Sequence, residues 1–290
     1  MTRRSILILG IAVIAAIGVS GAAWWQAAAQ SIPIAEVSHI HGIAVDPKDS
    51  SRLYLATHYG VFHTAPDGTA ERVSENTNDY MGFTPHPADA DVIYASGHPP
   101  QGGNMGVLVS RDGGRSWQQL ATGAGGPVDF HAMDVSRADP NVIYGLYGGI
   151  QVSRDGGESW TVAGAPPAQV IDLAASAASP DIVFAGTMGG LMISRDGGAT
   201  WEPTGTQGQP ASMVQTAPDG TVYAFIVGSG LMKSPGAVLD WRPVSNGFGE
   251  RVLLHLAIDP ADPDRMFAVT EESRILASTD GGRSWQPLVS

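Results

Sequence analysis

Cysteine is absent from the 290 residues of this chain, so disulfide bonds and thiolate chemistry are excluded. The fold must therefore rest on its hydrophobic core, which a chain of this length can supply. Basic residues are also scarce: the chain has 16 Lys and Arg but 28 Asp and Glu, so its formal net charge is −12. Binding to phosphate backbones needs a basic surface, so a nucleic-acid partner is disfavoured.

Acidic residues are missing from the first 29 residues, where two arginines precede an uncharged, mainly apolar stretch. This pattern predicts a signal peptide or an N-terminal membrane-anchor helix over residues 1–29, followed by a linker over residues 30–38. The alanines before residue 30 fit a cleavage site, whereas Trp24 and Trp25 would suit a membrane interface, so both alternatives stay open. We expect an exported protein, periplasmic or extracellular, that contacts a membrane only if residues 5–25 tether it.

One short pattern, Ser-x-Asp-x-Gly-x-(Ser/Thr)-Trp, occurs four times and sets the architecture. The copies begin at Ser110, Ser153, Ser194 and Ser278. The first intervals are 43 and 41 residues, and the last is 84 residues, which leaves room for one degenerate copy beginning at Ser234. The chain is therefore built from repeats of one supersecondary unit.

A sixth unit lies one period before Ser110, where Gly60-Val61-Phe62 matches the residues that precede the intact copies. Short apolar runs rich in β-branched and aromatic residues recur in the same phase and favour strands. A period of about 40 to 45 residues with several strands is typical of a β-propeller blade. We therefore predict an all-β fold over residues 39–290, a propeller of six four-stranded antiparallel blades, with the repeated motif at the turn between the third and fourth strands.

The repeated motif has a structural chemistry of its own. Its Asp can accept backbone N–H groups across the turn, its Gly allows positive φ, and its Trp buries a large ring beside a neighbouring sheet. The Asp and Trp residues of the four intact copies are Asp112, Trp117, Asp155, Trp160, Asp196, Trp201, Asp280 and Trp285.

These motifs resemble the Asp-box, or BNR repeat, of sialidase-like β-propellers, and the resemblance covers roughly residues 39–290. It implies an exported bacterial member of that family. The family includes sialidases, other glycoside hydrolases, sorting receptors and photosystem assembly factors, so the resemblance implies the fold without fixing one activity.

Several histidines occupy equivalent positions in neighbouring repeats, on the propeller face opposite the repeated motifs. They lie either 13 residues before the aromatic residue of the second strand or four residues after it. Imidazole and thioether ligands in a protein without cysteine suit copper, with zinc or nickel possible if only histidines bind. We predict a transition-metal site at the mouth of the axial channel; the alternative is that these side chains line a polar channel. The residues are His41, His58, Met81, His98 and His131, with His39 as a further contributor.

Glycoside hydrolysis is the enzymatic alternative that the resemblance implies. Sialidases grip the substrate carboxylate with three arginines, and the Arg-Ile-Pro segment of their first blades is absent from this sequence. Another glycosidase would need only two suitably spaced carboxylates. Acids at loop ends commonly cap turns, so we expect a binding protein rather than an enzyme. The carboxylates expected on the open face are Asp79, Asp129, Asp172, Glu271 and Glu272.

A non-catalytic scaffold that docks an exported protein is the third alternative. Residues 98–104, with the sequence HPPQGGN, form the longest connection between second and third strands. Long loops between ordered strands are often functional, which makes this segment a candidate contact loop. The expected partner is thus a small ligand, a glycan or an exported protein, and the only expected cofactor is a transition metal.

Overall fold

The fold is a six-bladed, all-β propeller, as the sequence predicts. The computed structural model describes residues 31–166 and 169–289. The segment expected to be a signal peptide or anchor, residues 1–29, lies outside the described residues. Across these two ranges, no helix is both long enough and apolar enough to cross a membrane.

Blade 1 differs from the prediction because it has five strands instead of four. Its strands are β1 (Ser31–Pro33), β2 (Ile40–Val45), β3 (Leu53–Thr57), β4 (Gly60–Thr64) and β5 (Thr69–Arg72), in the sheet order β1-β5-β4-β3-β2. A single-turn 3-10 helix, Ile34–Glu36, follows β1. The linker expected over residues 30–38 is therefore wrong for most of its length, since the apolar Ile34 and Val37 are buried in the core.

Blades 2 to 6 are four-stranded antiparallel meanders in chain order. Blade 2 contains β6 (Asp79–Pro85), β7 (Ile93–His98), β8 (Val107–Ser110) and β9 (Gln118–Ala121). Blade 3 contains β10 (Met133–Val135), β11 (Ile143–Leu146), β12 (Ile150–Ser153) and β13 (Thr161–Gly164). Blade 4 contains β14 (Val170–Ala175), β15 (Val183–Thr187), β16 (Gly190–Ser194) and β17 (Glu202–Pro203).

The last two blades complete the ring. Blade 5 contains β18 (Ala211–Thr216), β19 (Thr221–Ile226), β20 (Gly230–Pro235) and β21 (Arg242–Ser245), with a 3-10 turn at Gly236–Val238. Blade 6 contains β22 (Leu253–Ile258), β23 (Met266–Thr270), β24 (Ile275–Ser278) and β25 (Gln286–Pro287). The first strand of each four-stranded blade, and β2 in blade 1, is the innermost, and β2 packs against both β6 and β22.

The core lies between the blades. Second strands such as β3 (LYLAT) and β15 (VFAGT) are buried along their whole length, which explains why they are continuous apolar runs rather than alternating ones. Six apolar clusters, one for each pair of neighbouring blades, make up the described core. The cluster between blades 6 and 1 contains Ile34, Val37 and Phe267, so the segment after β1 contributes to closing the ring.

The Asp-box motifs form the self-contained turns that their residue types predict. In the copy beginning at Ser194, the serine Oγ accepts the Gly198 N–H at 2.8 Å and donates to Asp196 at 2.8 Å. The Asp196 carboxylate accepts the backbone N–H of Thr200 at 2.8 Å. The Thr200 hydroxyl, which donates to Asp196 at 2.6 Å, is the main cause that lowers the pKa of Asp196 to about 2, and the other hydrogen bonds add to it. In the degenerate copy, Ser234 only donates a weak 3.4 Å bond to the Gly236 carbonyl.

Ser194→Ala should lower the free energy of unfolding by about 1–2 kcal/mol, because the buried Gly198 N–H would lose its acceptor. Ser234→Ala is the matched control: Ser234 is equally buried but accepts no backbone N–H there, so its loss should cost much less. Urea denaturation of both variants and the parent protein measures the difference. Equal losses would show that the motif's hydrogen bonds do not contribute to stability.

Candidate functional site

A channel of about 170 Å³ runs along the propeller axis between the innermost strands. The strands all run in the same direction along the axis, so their first residues meet at one end, here called the mouth. His41, His131, Asp172 and His255 line the channel near the mouth, whereas His86 and Arg137 line its far end. The far end lies on the side of the Asp-box turns, since His86 follows the C-terminal end of β6.

β-Bulges aim side chains into the mouth. The pairing of β2 with β3 skips His41, because Ile40 pairs with Thr57 and Gly42 pairs with Ala56. A bulged residue leaves the ladder and its side chain is redirected, which is a common device near functional sites. His39, immediately before β2, has a φ of 53° and is exposed.

Blades 1 and 2 bring two imidazoles and one carboxylate together. Nε2 of His41 lies 3.7 Å from Oδ1 of Asp79, and Nε2 of His58 lies 3.5 Å from Oδ2. One ligand atom from each of these three residues lies within 4.8 Å of the other two. His41 lies near the start of β2 and Asp79 begins the neighbouring innermost strand β6, while His58 occupies the β3–β4 turn, so His41 and His58 come from blade 1 and Asp79 from blade 2.

The Asp79 carboxylate is buried and lacks a hydrogen-bond partner. Its side chain is 5% exposed. Among the described residues, neither of its oxygens nor His41 Nε2 has a hydrogen-bond partner. Burial raises the pKa of Asp79, while the neighbouring His58 and His98 oppose that shift. An unpaired buried carboxylate is costly, so this group is a candidate functional site.

His41 is held in its neutral form at the same place. Burial, reinforced by the imidazoles of His58 and His255, lowers the pKa of His41 to about 3. Its ring stacks on that of His58, with ring centres 4.4 Å apart. Neutral imidazole with a free nitrogen lone pair is the form that binds metal ions.

The other residues predicted for the metal site surround this group at different depths. Nε2 of His98, at the end of β7, lies 3.3 Å from Oδ2 of Asp79. The exposed His39 ring is centred 4.8 Å from that of His58. Met81 is buried in β6, two residues after Asp79 and on the same side of the strand.

His131 stands beside an acidic partner of its own. Its Nε2 lies 3.4 Å from Oδ2 of Asp129, and this contact raises the pKa of His131. Oδ1 of Asp129 is buried and has no hydrogen-bond partner among the described residues. Both residues precede β10 in irregular backbone. His131 is therefore at the mouth as predicted, but in a pair with a carboxylate.

The sequence analysis placed Asp79 on the open face only as a possible glycosidase carboxylate, and it did not single out His255. Asp79 is two residues before Met81 along β6, so period-two alternation could have identified it. His255 follows Leu254, the residue that the β22 bulge skips, and it lines the channel, where burial lowers its pKa to about 4. His63 and His86 lie away from the mouth, and His63 Nε2 is 2.9 Å from Oδ2 of Asp46.

Comparison with known proteins gives the family of the repeats. Residues 192–203, which span the third Asp-box, match the BNR/Asp-box repeat. The fold is therefore a β-propeller, and one of its repeats matches the BNR/Asp-box repeat. None of the curated proteins compared with it matches its sequence.

Solved structures similar to this BNR-repeat propeller share its fold. The GH74 enzyme of Niastella koreensis has 16% identity and a TM-score of 0.63 over 86% of this chain and 45% of its own. YCF48 bound to D1 peptide has 19% identity and a TM-score of 0.56 over 89% and 84%. A gluconolactonase of Xanthomonas campestris has 14% identity and a TM-score of 0.61 over 86% and 89%. This chain spans less than half the length of the GH74 chains.

The carboxylates considered for glycoside hydrolysis have different environments in this propeller. Asp172 uses Oδ1 to accept the Leu173 N–H at 2.9 Å and Oδ2 to accept the Val214 N–H of the next blade at 2.8 Å. Glu271 is exposed and accepts the Val252 N–H at 2.8 Å. These hydrogen bonds give Asp172 and Glu271 a structural role. Oδ1 of Asp129, in contrast, has no hydrogen-bond partner among the described residues.

Asp172 should make the stability of the propeller depend on pH. Burial raises its pKa to about 7, so the folded state favours the protonated acid; this contribution is complete below about pH 4 and is lost as the pH rises through about 7. Asp172→Asn removes the titration. Between pH 5 and pH 8, the variant should therefore lose about 1–3 kcal/mol less unfolding free energy than the parent.

Urea denaturation at both pH values, with a chelator present, measures this difference. Asp262→Asn, which changes an exposed turn residue, is the control and should follow the parent. A variant whose pH dependence equals that of the parent would contradict the assignment.

Proposed function

We propose that this BNR-repeat propeller is a metal-binding protein, and that a divalent transition-metal ion binds at the mouth through His41, His58 and Asp79. His98 is the fourth protein ligand in this proposal. The observation that carries it is the Asp79 carboxylate, which is buried, unpaired among the described residues, and faces three imidazole nitrogens at 3.3–3.7 Å. A bound cation would compensate this charge.

The distances support coordination better than hydrogen bonding. Two ligand atoms bound to one tetrahedral ion at its usual bond lengths lie about 3.3 Å apart. Oδ2 of Asp79 lies 3.3 Å from His98 Nε2 and 3.5 Å from His58 Nε2, and Oδ1 lies 3.7 Å from His41 Nε2, so side-chain rotations would be needed to bring all three nitrogens onto one ion. Hydrogen bonds of the charge-assisted kind would be shorter, near 2.7–2.9 Å.

The ligand set favours a divalent ion of borderline softness. Imidazole nitrogen suits copper, zinc and nickel, and a carboxylate oxygen favours the divalent ions over Cu⁺. We therefore propose that Cu²⁺ binds most tightly, with Zn²⁺ and Ni²⁺ both weaker, because Cu²⁺ stands at the top of the usual order of affinity. Met81 is near in sequence to Asp79 and remains a candidate for a softer, secondary contact.

Metal binding explains more of this mouth than the other two functions do. A glycosidase needs a pair of free carboxylates, but Asp172 is engaged with two backbone N–H groups. A scaffold would use residues 98–104, yet Asn104 donates to the Tyr147 hydroxyl at 2.9 Å and to the Pro127 carbonyl at 3.0 Å, which folds this loop over blade 3. Neither function accounts for an unpaired carboxylate among imidazoles. With residues 1–29 as export segment, the proposed site of action is outside the cytoplasm.

Titration calorimetry of the metal-free protein with Cu²⁺ and Zn²⁺ tests the proposal. Asp79→Asn preserves shape but removes the charge, and we expect it to weaken binding by more than about 100-fold. His41→Ala combined with His58→Ala should do the same. His86→Ala, at the far end of the channel, is the control and should bind as the parent does.

Thermal unfolding provides a second readout that separates binding from folding. Metal-free Asp79→Asn should be at least as stable as the parent, because a buried uncompensated carboxylate is removed. Metal should raise the unfolding temperature of the parent and not that of the variant. Equal metal affinities for the parent and Asp79→Asn would refute the proposed site.

A further inference from the structure

A second His/Asp pair stands at the mouth, on blade 3. Asp129 and His131 flank Phe130 in the irregular segment before β10, and their side chains contact each other. Asp129 is 8% exposed, whereas the His131 side chain is 65% exposed. The pair therefore combines a buried anion with an imidazole that solvent reaches.

Phe130 fixes this pair by bonds to the neighbouring blade. Its N–H donates to the buried Ser96 hydroxyl at 2.9 Å, and its ring, fully buried, packs against Trp160 with centres 4.9 Å apart. Gly82, at a φ of 51°, approaches the Phe130 carbonyl so closely that a Cβ there would lie 2.5 Å from the oxygen. Asp129 and His131 are thus held by packed backbone even though they lie outside regular strands.

The geometry of the pair matches that of two ligands on one ion. Nε2 of His131 and Oδ2 of Asp129 are 3.4 Å apart, close to the about 3.3 Å expected for neighbouring ligands. Oδ1 of Asp129 is inaccessible to solvent and has no hydrogen-bond partner within the described ranges. Two unpaired carboxylates, Asp79 and Asp129, thus lie at the same mouth, and one divalent ion on Asp79 leaves Asp129 without a close cation.

We propose that Asp129 and His131 hold a second divalent cation beside the one bound by His41, His58 and Asp79. This inference rests on the metal-binding function proposed above. The second ion has two protein ligands and a coordination shell completed by water, so it binds more weakly and exchanges faster than the first. Because the His131 ring is exposed to solvent, an ion that enters the mouth meets this second site first.

The number of bound ions decides between one site and two. The full-length, metal-free protein is titrated with Zn²⁺ by calorimetry, and bound zinc is counted by elemental analysis after equilibrium dialysis. The parent should bind two ions in separate tight and weak steps. Asp129→Asn should weaken the weak step by more than about 10-fold and leave the tight step unchanged. Asp79→Asn should remove the tight step and keep the weak one.

Two further variants provide an independent test of the second site and a control. His131→Gln alters an exposed ring and should not disturb folding, so it must reproduce the effect of Asp129→Asn. Asp262→Asn, which changes an exposed turn carboxylate, should bind two ions. One zinc per parent chain, unaffected by Asp129→Asn, would overturn the second site while the first stands. Loss of both steps in Asp129→Asn would show one shared site, and no binding by the parent would refute both proposals.

Discussion

Circular closure is the constraint on which the rest of the structure depends. Each blade can bury its apolar faces only against its two neighbours, so the last blade must meet the first. The closing interface packs Phe267 and Ile275 of blade 6 against Ile43 and Leu55 of blade 1. Blade 1 lacks the Asp-box tryptophan that packs at most other interfaces, and Ile34 and Val37 bring additional apolar surface to this one.

The two faces of the propeller treat carboxylates in opposite ways. On the Asp-box face, Asp155 and Asp196 accept several short hydrogen bonds within their own turns, and these bonds lower the pKa of each to about 2. At the mouth, Asp79 accepts none from the described residues and burial raises its pKa. One residue type thus stabilises the turns on one face and carries an uncompensated charge on the other. An unpaired buried carboxylate costs free energy of folding. A rigid structure that maintains such a cost is typical of a functional site.

The repeat phase was enough to predict blade number, strand order and the face on which His41, His58 and His98 meet. All three follow from a period that the Asp-boxes display directly. The departures arise from interactions that no period contains. Residues 31–33 join blade 1 as a fifth strand because the edge strand β5 offers free backbone groups. His255 lines the channel although the position equivalent to His41 in its blade is the bulged Leu254, one residue earlier.

Asp79 illustrates a different limit of sequence reasoning. Its position on the open face was predictable, but its burial was not, because burial depends on how blade 1 packs over the start of β6. Gly42 makes that packing possible: a Cβ at this position would lie 2.7 Å from Phe83 Cβ. The missing side chain of Gly42 lets blades 1 and 2 approach, which brings the Asp79 carboxylate close to both His41 and His58.

The distribution of ligands around the ring makes the mouth asymmetric. Blades 1, 2 and 3 supply the proposed ligands and the unpaired carboxylates, whereas the positions equivalent to His41 in blades 4 and 6 are Ile171 and Leu254. The proposed ion, bound by blades 1 and 2, would therefore lie off the axis, with Asp172 and His255 lining the channel on the other blades. Met188, in the β15–β16 turn of blade 4, is among the exposed apolar side chains there. In the proposed site, a ligand that approaches the ion from solvent would also contact Met188, so the residues proposed to bind metal and those that would contact the ligand lie on different blades.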